Sequence, residues 1–367
     1  MRVVIAGGGT AGHITPSIAV AHRLLAEGAT VEFIGSVAGP EASLVRAAGF
    51  RFHGVRAVPL RRELSLRSAT APFVALGSVG AARPIVRHAS VVLGMGGYAS
   101  VAPVLAARSV RVPTVVHEQN AVPGLANRML ARIVTAVALT FASSRDRLPR
   151  SVLAEITGLP LREEVRSIVA DRTAVADEAY EALGLRPGRT TVLVTGGSQG
   201  ALHLDHAIAG AIASLAGRAD LQLLVLTGAG KQTVVADAAD AEMDLVVRTF
   251  PSLERMELAL SVADVAVSRA GANTIHELAA CGIPSILVPY PHATDDHQLA
   301  NATELRGAGA AQIVLDRDLD PADLAHRIET LVDDVDLRSS MGAAAAAWST
   351  PDADERVAAL LRSVARS

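Results

Sequence analysis

An α/β chain of two Rossmann-like halves is what the sequence predicts, on three observations. Short β-branched runs alternate with longer alanine- and leucine-rich stretches. This is the rhythm of βαβ units, whose parallel strands are covered by helices on both faces. A glycine-rich turn follows an apolar strand twice, at GGGTAG from Gly7 and at GGSQG from Gly196. Between about Thr157 and Thr190 the alternation falters, and a second unit restarts with its own strand, turn and helix.

The first strand is VVIA from Val3, and GGGTAGHITP, Gly7 to Pro16, turns the chain into the first helix. TVEFIG from Thr30, SVVLGMG from Ser90, PTVVHE from Pro113 and TAVALTF from Thr135 complete the strands of the first half. The second half carries TTVLVTGG from Thr190, LQLLVLTG from Leu221, LVVRTF from Leu245, VAVSRAG from Val265, PSILVPY from Pro284 and AQIVL from Ala311. Most are near-continuous apolar runs, as expected of strands buried on both faces of a parallel sheet. Between the halves, GLPLREEV leads into an acidic, alanine-rich helix that ends at LGLRPGR. The last segment, PDADERVAALLRSVARS, reads as a helix with Pro351 in its first turn.

Composition narrows the function. The 367 residues are half hydrophobic and about a fifth charged, which is globular rather than disordered. A net charge of −3 argues against nucleic acid as a partner. The lone Cys281 excludes an intramolecular disulfide and fits a reducing cytosol. Because the N-terminus reads as a strand, no signal peptide is expected, and no apolar run is long enough for a membrane span. Membrane contact is therefore expected to be peripheral.

The glycine turns carry the chemistry. In GGGTAGH small residues let the backbone approach a ligand, and the following helix offers free N–H groups to an anion. No lysine follows, so this is not a P-loop; His13 stands there instead. A dinucleotide site would want an acid ending the second strand, but TVEFIGS ends in Gly35 and Ser36, which demotes NAD and FAD. In TGGSQGA, Ser198 and Gln199 can donate to phosphate oxygens. In SRAGANTIHELAACGIPSILVPYP, Arg269 ends a strand and Glu277 lies near a helix start, where a carboxylate is favoured and can accept from a sugar diol. Each feature also has a plain structural reading: a tight turn, a capping histidine, a helix-start charge. The one Asp-x-Asp, Asp316 to Asp318, reads as turn and capping chemistry rather than a metal site.

Five runs occur in order: GGGTAGH from Gly7, GMGGY from Gly94, HEQN from His117, GGSQG from Gly196, and RAGA from Arg269 continuing through Glu277. With His297, Gln298 and Asn301 they closely resemble the MurG family of UDP-N-acetylglucosamine transferases of peptidoglycan synthesis, over nearly the whole chain. The resemblance implies a glycosyltransferase-B fold, with two Rossmann-like domains facing across a cleft. It implies residues 1–160, completed by a helix at 351–367, as the acceptor and membrane-docking domain. Residues 161–350 would bind UDP-N-acetylglucosamine. The acceptor would be lipid I and the product lipid II, with inversion at the anomeric carbon and neither metal nor cofactor required.

Carried over by motif, the donor residues are Thr10, Ala11 and Gly12 beside the sugar and diphosphate, Asn120 on the N-acetylglucosamine and Arg162 on the diphosphate. Ser198, with Gln199, belongs to the diphosphate turn, Leu253 to uracil, and Gln298 to the sugar hydroxyls. Ala272, Asn273, Thr274, Ile275, His276 and Glu277 would wrap the nucleoside, with Glu277 on the ribose. His13 would be the base or orient the acceptor hydroxyl, and at a helix start the neutral imidazole that accepts a proton is favoured. Tyr98, Glu118 and Asn127 fall on the acceptor side. Leu60 to His88 mixes Arg61, Arg62 and Arg67 with Phe73 and Leu76, and resembles a docking patch for an anionic membrane surface. The expected location is the cytoplasmic face of the cell membrane. Two rival readings keep the nucleotide site but drop the acceptor: a UDP-N-acetylglucosamine 2-epimerase, and a binding module without catalysis.

Overall fold

The computed structural model describes residues 1–8, 11–37, 41–55, 77–197, 200–239 and 243–366. Thr10, Ser198, Gln199, Arg61, Arg62, Arg67, Phe73 and Leu76 lie outside them, as does the side chain of Ala11. The chain divides into two units, Met1–Arg162 with Thr350–Ser367, and Glu163–Ser349.

The first unit runs β1 (Arg2–Ala6), α1 (Ala11–Ala26), β2 (Thr30–Ser36), α2 (Glu41–Ala47) and β3 (Arg51–Val55). The described part of α3 covers residues 77–86. Then come β4 (Val91–Gly94), α4 (Tyr98–Ser109), β5 (Thr114–Glu118), α5 (Leu125–Leu130), β6 (Ala136–Leu139) and β7 (Leu153–Ile156). All seven strands pair in parallel in the order β3-β2-β1-β4-β5-β6-β7. Val3, Ile5, Val91, Leu93 and Val115 face one side core, and Val4, Val92, Val116 and Val137 the other. Burial on both faces is why these runs read as continuously apolar.

The second unit runs α6 (Glu163–Ala170), α7 (Ala176–Leu183), β8 (Thr190–Thr195), α8 (Leu202–Leu215), β9 (Leu221–Leu226), α9 (Thr233–Ala236), β10 (Val246–Phe250) and α10 (Met256–Val262). It continues with β11 (Val265–Ser268), α11 (Ala272–Ala280), β12 (Ser285–Leu287), α12 (His297–Gly307), β13 (Ala311–Ile313), α13 (Pro321–Asp333) and α14 (Val335–Trp348). Its six parallel strands lie in the order β10-β9-β8-β11-β12-β13. In both sheets the order reverses once, between β1 and β4 and between β8 and β11. Ligands of open α/β sheets sit at that switch point, beyond the carboxyl ends of the strands. Both glycine turns leave the sheet there.

The chain returns to the first unit as α15 (Ala353–Val364). The helix begins two residues after Pro351 rather than at it as the sequence pattern suggests, and Pro351 and Asp352 form a turn instead. Val357, Ala358, Leu360 and Leu361 are fully buried or nearly so in the core that α1 also faces. Burying each of the larger side chains stabilises by roughly 1.5–3 kcal/mol. Arg23 Nε donates to the buried Asp354 carboxylate at 3.1 Å. No described helix is long and apolar enough to cross a membrane.

Candidate active site

In the first unit the turns after β1, β4 and β5 converge, because those three strands are neighbours in the sheet. Gly97, at φ 70°, lies so close to the first glycine turn that a Cβ there would stand 2.6 Å from the Gly8 carbonyl oxygen. His13, half-buried in the first turn of α1, packs against this second turn. A methyl group on Gly96 would stand 3.3 Å from His13 Cδ2, 3.3 Å from Asn127 Nδ2 and 3.4 Å from Gln119 Oε1. Thus His13, the GMGGY turn and the HEQN run meet at one place. Tyr98 begins α4 beside them and is half-buried.

The HEQN run is rigid for a visible reason. Glu118 is 2 % exposed, and both its carboxylate oxygens are occupied. Oε1 accepts from the Asn120 backbone N–H at 2.9 Å, and Oε2 accepts from Gly124 N–H at 3.0 Å and Asn127 Nδ2 at 2.8 Å. Burial pushes its carboxyl up, against the pull of these hydrogen bonds. Asn127 Nδ2 also donates to the His117 carbonyl, and Gln119 Nε2 to the Met95 carbonyl at 2.7 Å. Ser144 Oγ donates to the Asn120 carbonyl at 2.9 Å. Asn120, half-buried, is therefore presented on a loop clamped from both ends. His117 is fully buried with Nε2 3.0 Å from the Gly158 carbonyl. Burial, with His13 nearby, depresses it to about 4, so it is neutral and donates through Nε2.

In the second unit the turn after β8 requires glycine. Gly200 has φ 67°, and a Cβ there would meet the Thr227 carbonyl oxygen at 2.1 Å. After β11, α11 starts at Ala272, with Ala272, Asn273 and Thr274 half-buried and Ile275, His276 and Glu277 buried. Glu277 lies in the second turn of α11. Ile275 packs inward, and the His276 ring lies 4.7 Å from that of Trp348. Gln298 Oε1 accepts from the backbone N–H of Ala270 at 3.2 Å and of Tyr290 at 2.9 Å. Asn301, fully buried, donates to the Ala270 carbonyl. Hence α12 clamps the loop that leads into α11. Leu253 is half-buried and, like Phe250, packs against the core that includes Leu258. Arg162 is half-buried, the last residue of the first unit before the chain enters the second.

Asp316 is held by Arg269 and by His203 Nδ1 at 2.9 Å. These bonds bring its carboxyl below the usual range although burial opposes them. The carboxylate is spent on structure, and among the described residues no cluster of three or more acidic, histidine or cysteine side chains could hold a metal. The clamping roles of Glu118 and Gln298 and the burial of Asp205 were not read from the sequence. The partners of Glu118 and Gln298 are mostly backbone groups, and the surroundings of Asp205 are distant in the chain, so only the bare acid or amide is visible beforehand.

Two α/β units, each with a glycine turn at its switch point, are the frame of a nucleotide-sugar glycosyltransferase, and the chain belongs to glycosyltransferase family 28. Its N-terminal domain model matches residues 3–139 and its C-terminal domain model residues 191–357. More narrowly, the chain is 39 % identical, over 91 % of each chain, to a protein of Halothermothrix orenii. That protein is named UDP-N-acetylglucosamine–N-acetylmuramyl-(pentapeptide) pyrophosphoryl-undecaprenol N-acetylglucosamine transferase. A protein of the same name from Shewanella amazonensis is 39 % identical over 100 % of this chain and 98 % of its own. The crystal structure of Acinetobacter baumannii MurG superposes with TM-score 0.79 at 28 % identity, covering 99 % of both chains. A Neisseria meningitidis UDP-GlcNAc 2-epimerase shares the fold alone, with TM-score 0.71 at 12 % identity over 99 % of this chain and 100 % of its own.

Proposed function

We propose that the protein transfers N-acetylglucosamine from UDP-N-acetylglucosamine to the 4-hydroxyl of the muramoyl unit of lipid I, forming lipid II. The observation that carries this is the near full-length likeness to relatives bearing that name, with every acceptor- and donor-side run in place. The acceptor hydroxyl attacks the anomeric carbon as the bond to the β-phosphate oxygen breaks, and UDP leaves with the electron pair. His13 takes the hydroxyl proton. Glu118 and Asn127 hold the loop that aims Asn120 at the donor's sugar, and Tyr98 borders the acceptor. Helix N-termini, Ser198 and Arg162 stabilise charge on the leaving diphosphate.

Glu277 accepts from the ribose hydroxyls, Gln298 turns its amide N–H groups to the sugar, and Leu253 borders the uracil. Residues 60–88 dock the first unit on an anionic membrane at its cytoplasmic face, because lipid I stays in the bilayer. The discriminating experiment incubates UDP-N-acetylglucosamine with and without a lipid I analogue. Acceptor-dependent UDP release is expected. Conversion of the nucleotide sugar to its manno isomer without acceptor would overturn the transferase reading in favour of the epimerase.

A further inference from the structure

A buried acid in the second unit stands without a hydrogen-bond partner among the described residues. Asp205, on the first turn of α8 five residues beyond the glycine turn's Gly200, is 1 % exposed, and neither carboxylate oxygen is hydrogen-bonded to any of them. Two cations face it from other elements. Lys231, the only lysine in the chain, comes from the loop after β9, and Arg269 from the end of β11. Arg269 is already committed to Asp316 and to the Val288 and Pro289 carbonyls. On α8 itself His203 and His206 are exposed. The neighbouring α9 carries no charge, and α13 brings Pro321 against Gly210, with its Asp323 and Arg327 paired to each other.

A carboxylate sealed from water without a single hydrogen bond costs several kcal/mol, and the group escapes that cost by taking a proton. Burial accordingly pushes the Asp205 carboxyl up to about 6, against Lys231 and Arg269. A nucleotide diphosphate arriving at the N-terminus of this fourteen-residue helix adds like charge beside it, which favours the neutral acid further. As a carboxylate Asp205 repels that ligand; as an acid it offers an O–H to a phosphate oxygen.

From this arrangement we infer that Asp205 is a proton-carrying residue of the donor site, which binds UDP-N-acetylglucosamine as the neutral acid and takes one proton from solvent as the donor arrives. The inference rests on the donor assignment made above. It makes affinity fall about tenfold per pH unit above the free carboxyl's titration, until the bound carboxyl itself ionises. The sugar nucleotide is the right probe, because its diphosphate diester does not titrate in this range. Calorimetry of UDP-N-acetylglucosamine binding at pH 7.5, in buffers of different ionisation enthalpy, should show uptake of close to one proton. Affinity should decline steeply from pH 6 to 8. In Asp205→Asn, which keeps the shape and a donor but cannot titrate, the uptake and the decline should both disappear. No uptake in the parent, or the same uptake in Asp205→Asn, would overturn the inference and leave the donor assignment standing. Absence of binding at pH 6 would overturn both.

Discussion

Replacing Glu118 by Gln tests whether this carboxylate builds the acceptor-side loop. The parent side chain accepts from the backbone N–H groups of Asn120 and Gly124, in the loop it closes, and from the side chains of Asn127 and Asn120. A glutamine has one acceptor oxygen. Facing it to Gly124 and Asn127 keeps two bonds and turns the amide NH₂ toward the Asn120 N–H, so an accepted bond becomes a clash of donors. Losing such a bond at a buried site costs about 1–3 kcal/mol. For a domain of roughly 150–250 residues that lowers Tm by about 2–12 °C. The deficit also depends on pH. Because the folded carboxyl is raised above its unfolded value, its contribution is full below about pH 4.5 and declines as pH rises through the folded titration. The Tm gap between parent and Glu118→Gln should therefore narrow with rising pH. Thermal unfolding followed across pH 4 to 8, together with turnover, measures both. An unchanged Tm with unchanged turnover would refute the view that Glu118 organises the loop.

Four further outcomes are expected. His117 is held neutral at about 4 by burial, so its contribution is present above pH 6.5 and lost as pH falls through 4, a loss of about 3 kcal/mol on acidification that His117→Asn should remove. His13→Ala should lower turnover by about 10²-fold or more while UDP binding survives, and near-normal turnover would exclude it as the base. Glu277→Ala should weaken UDP binding by about 1.5–3 kcal/mol and discriminate less against the 2′-deoxy donor, as a titration of both nucleotides would show. Binding to anionic vesicles should be salt-sensitive and weakened by changing Arg61, Arg62 and Arg67 together to Gln, with turnover on a soluble acceptor analogue retained; indifference to both changes would place docking elsewhere.

Most of the strands that were legible are buried on both faces, such as Val91–Gly94 and Leu221–Leu226, whose side chains are all inside. β3 (RFHGV) and β7 (LAEI) escaped the reading because they are the two edges of their sheet. Only Val55 of β3 is buried, and Leu153 and Ile156 of β7 are more than half exposed, so neither shows an apolar run. The glycine turns were legible because close backbone approach leaves no other residue possible, as at Gly200 against Thr227. Gln298 reads in sequence as a group for the ligand, yet its oxygen is engaged by two backbone N–H groups. Asp205 carries no signal in the sequence, because its burial depends on groups distant in the chain, with Lys231 and Arg269 among its charged neighbours.

The stereochemistry of the product tests the central claim most directly. A single in-line displacement on the α-linked donor, with the acceptor hydroxyl as nucleophile, must leave a β linkage at the muramoyl 4-position. NMR of the disaccharide formed on a soluble lipid I analogue, with UDP released in equal amount, should show the large anomeric proton coupling of the β form. An α-linked product, or UDP released without a new glycosidic bond, would contradict it.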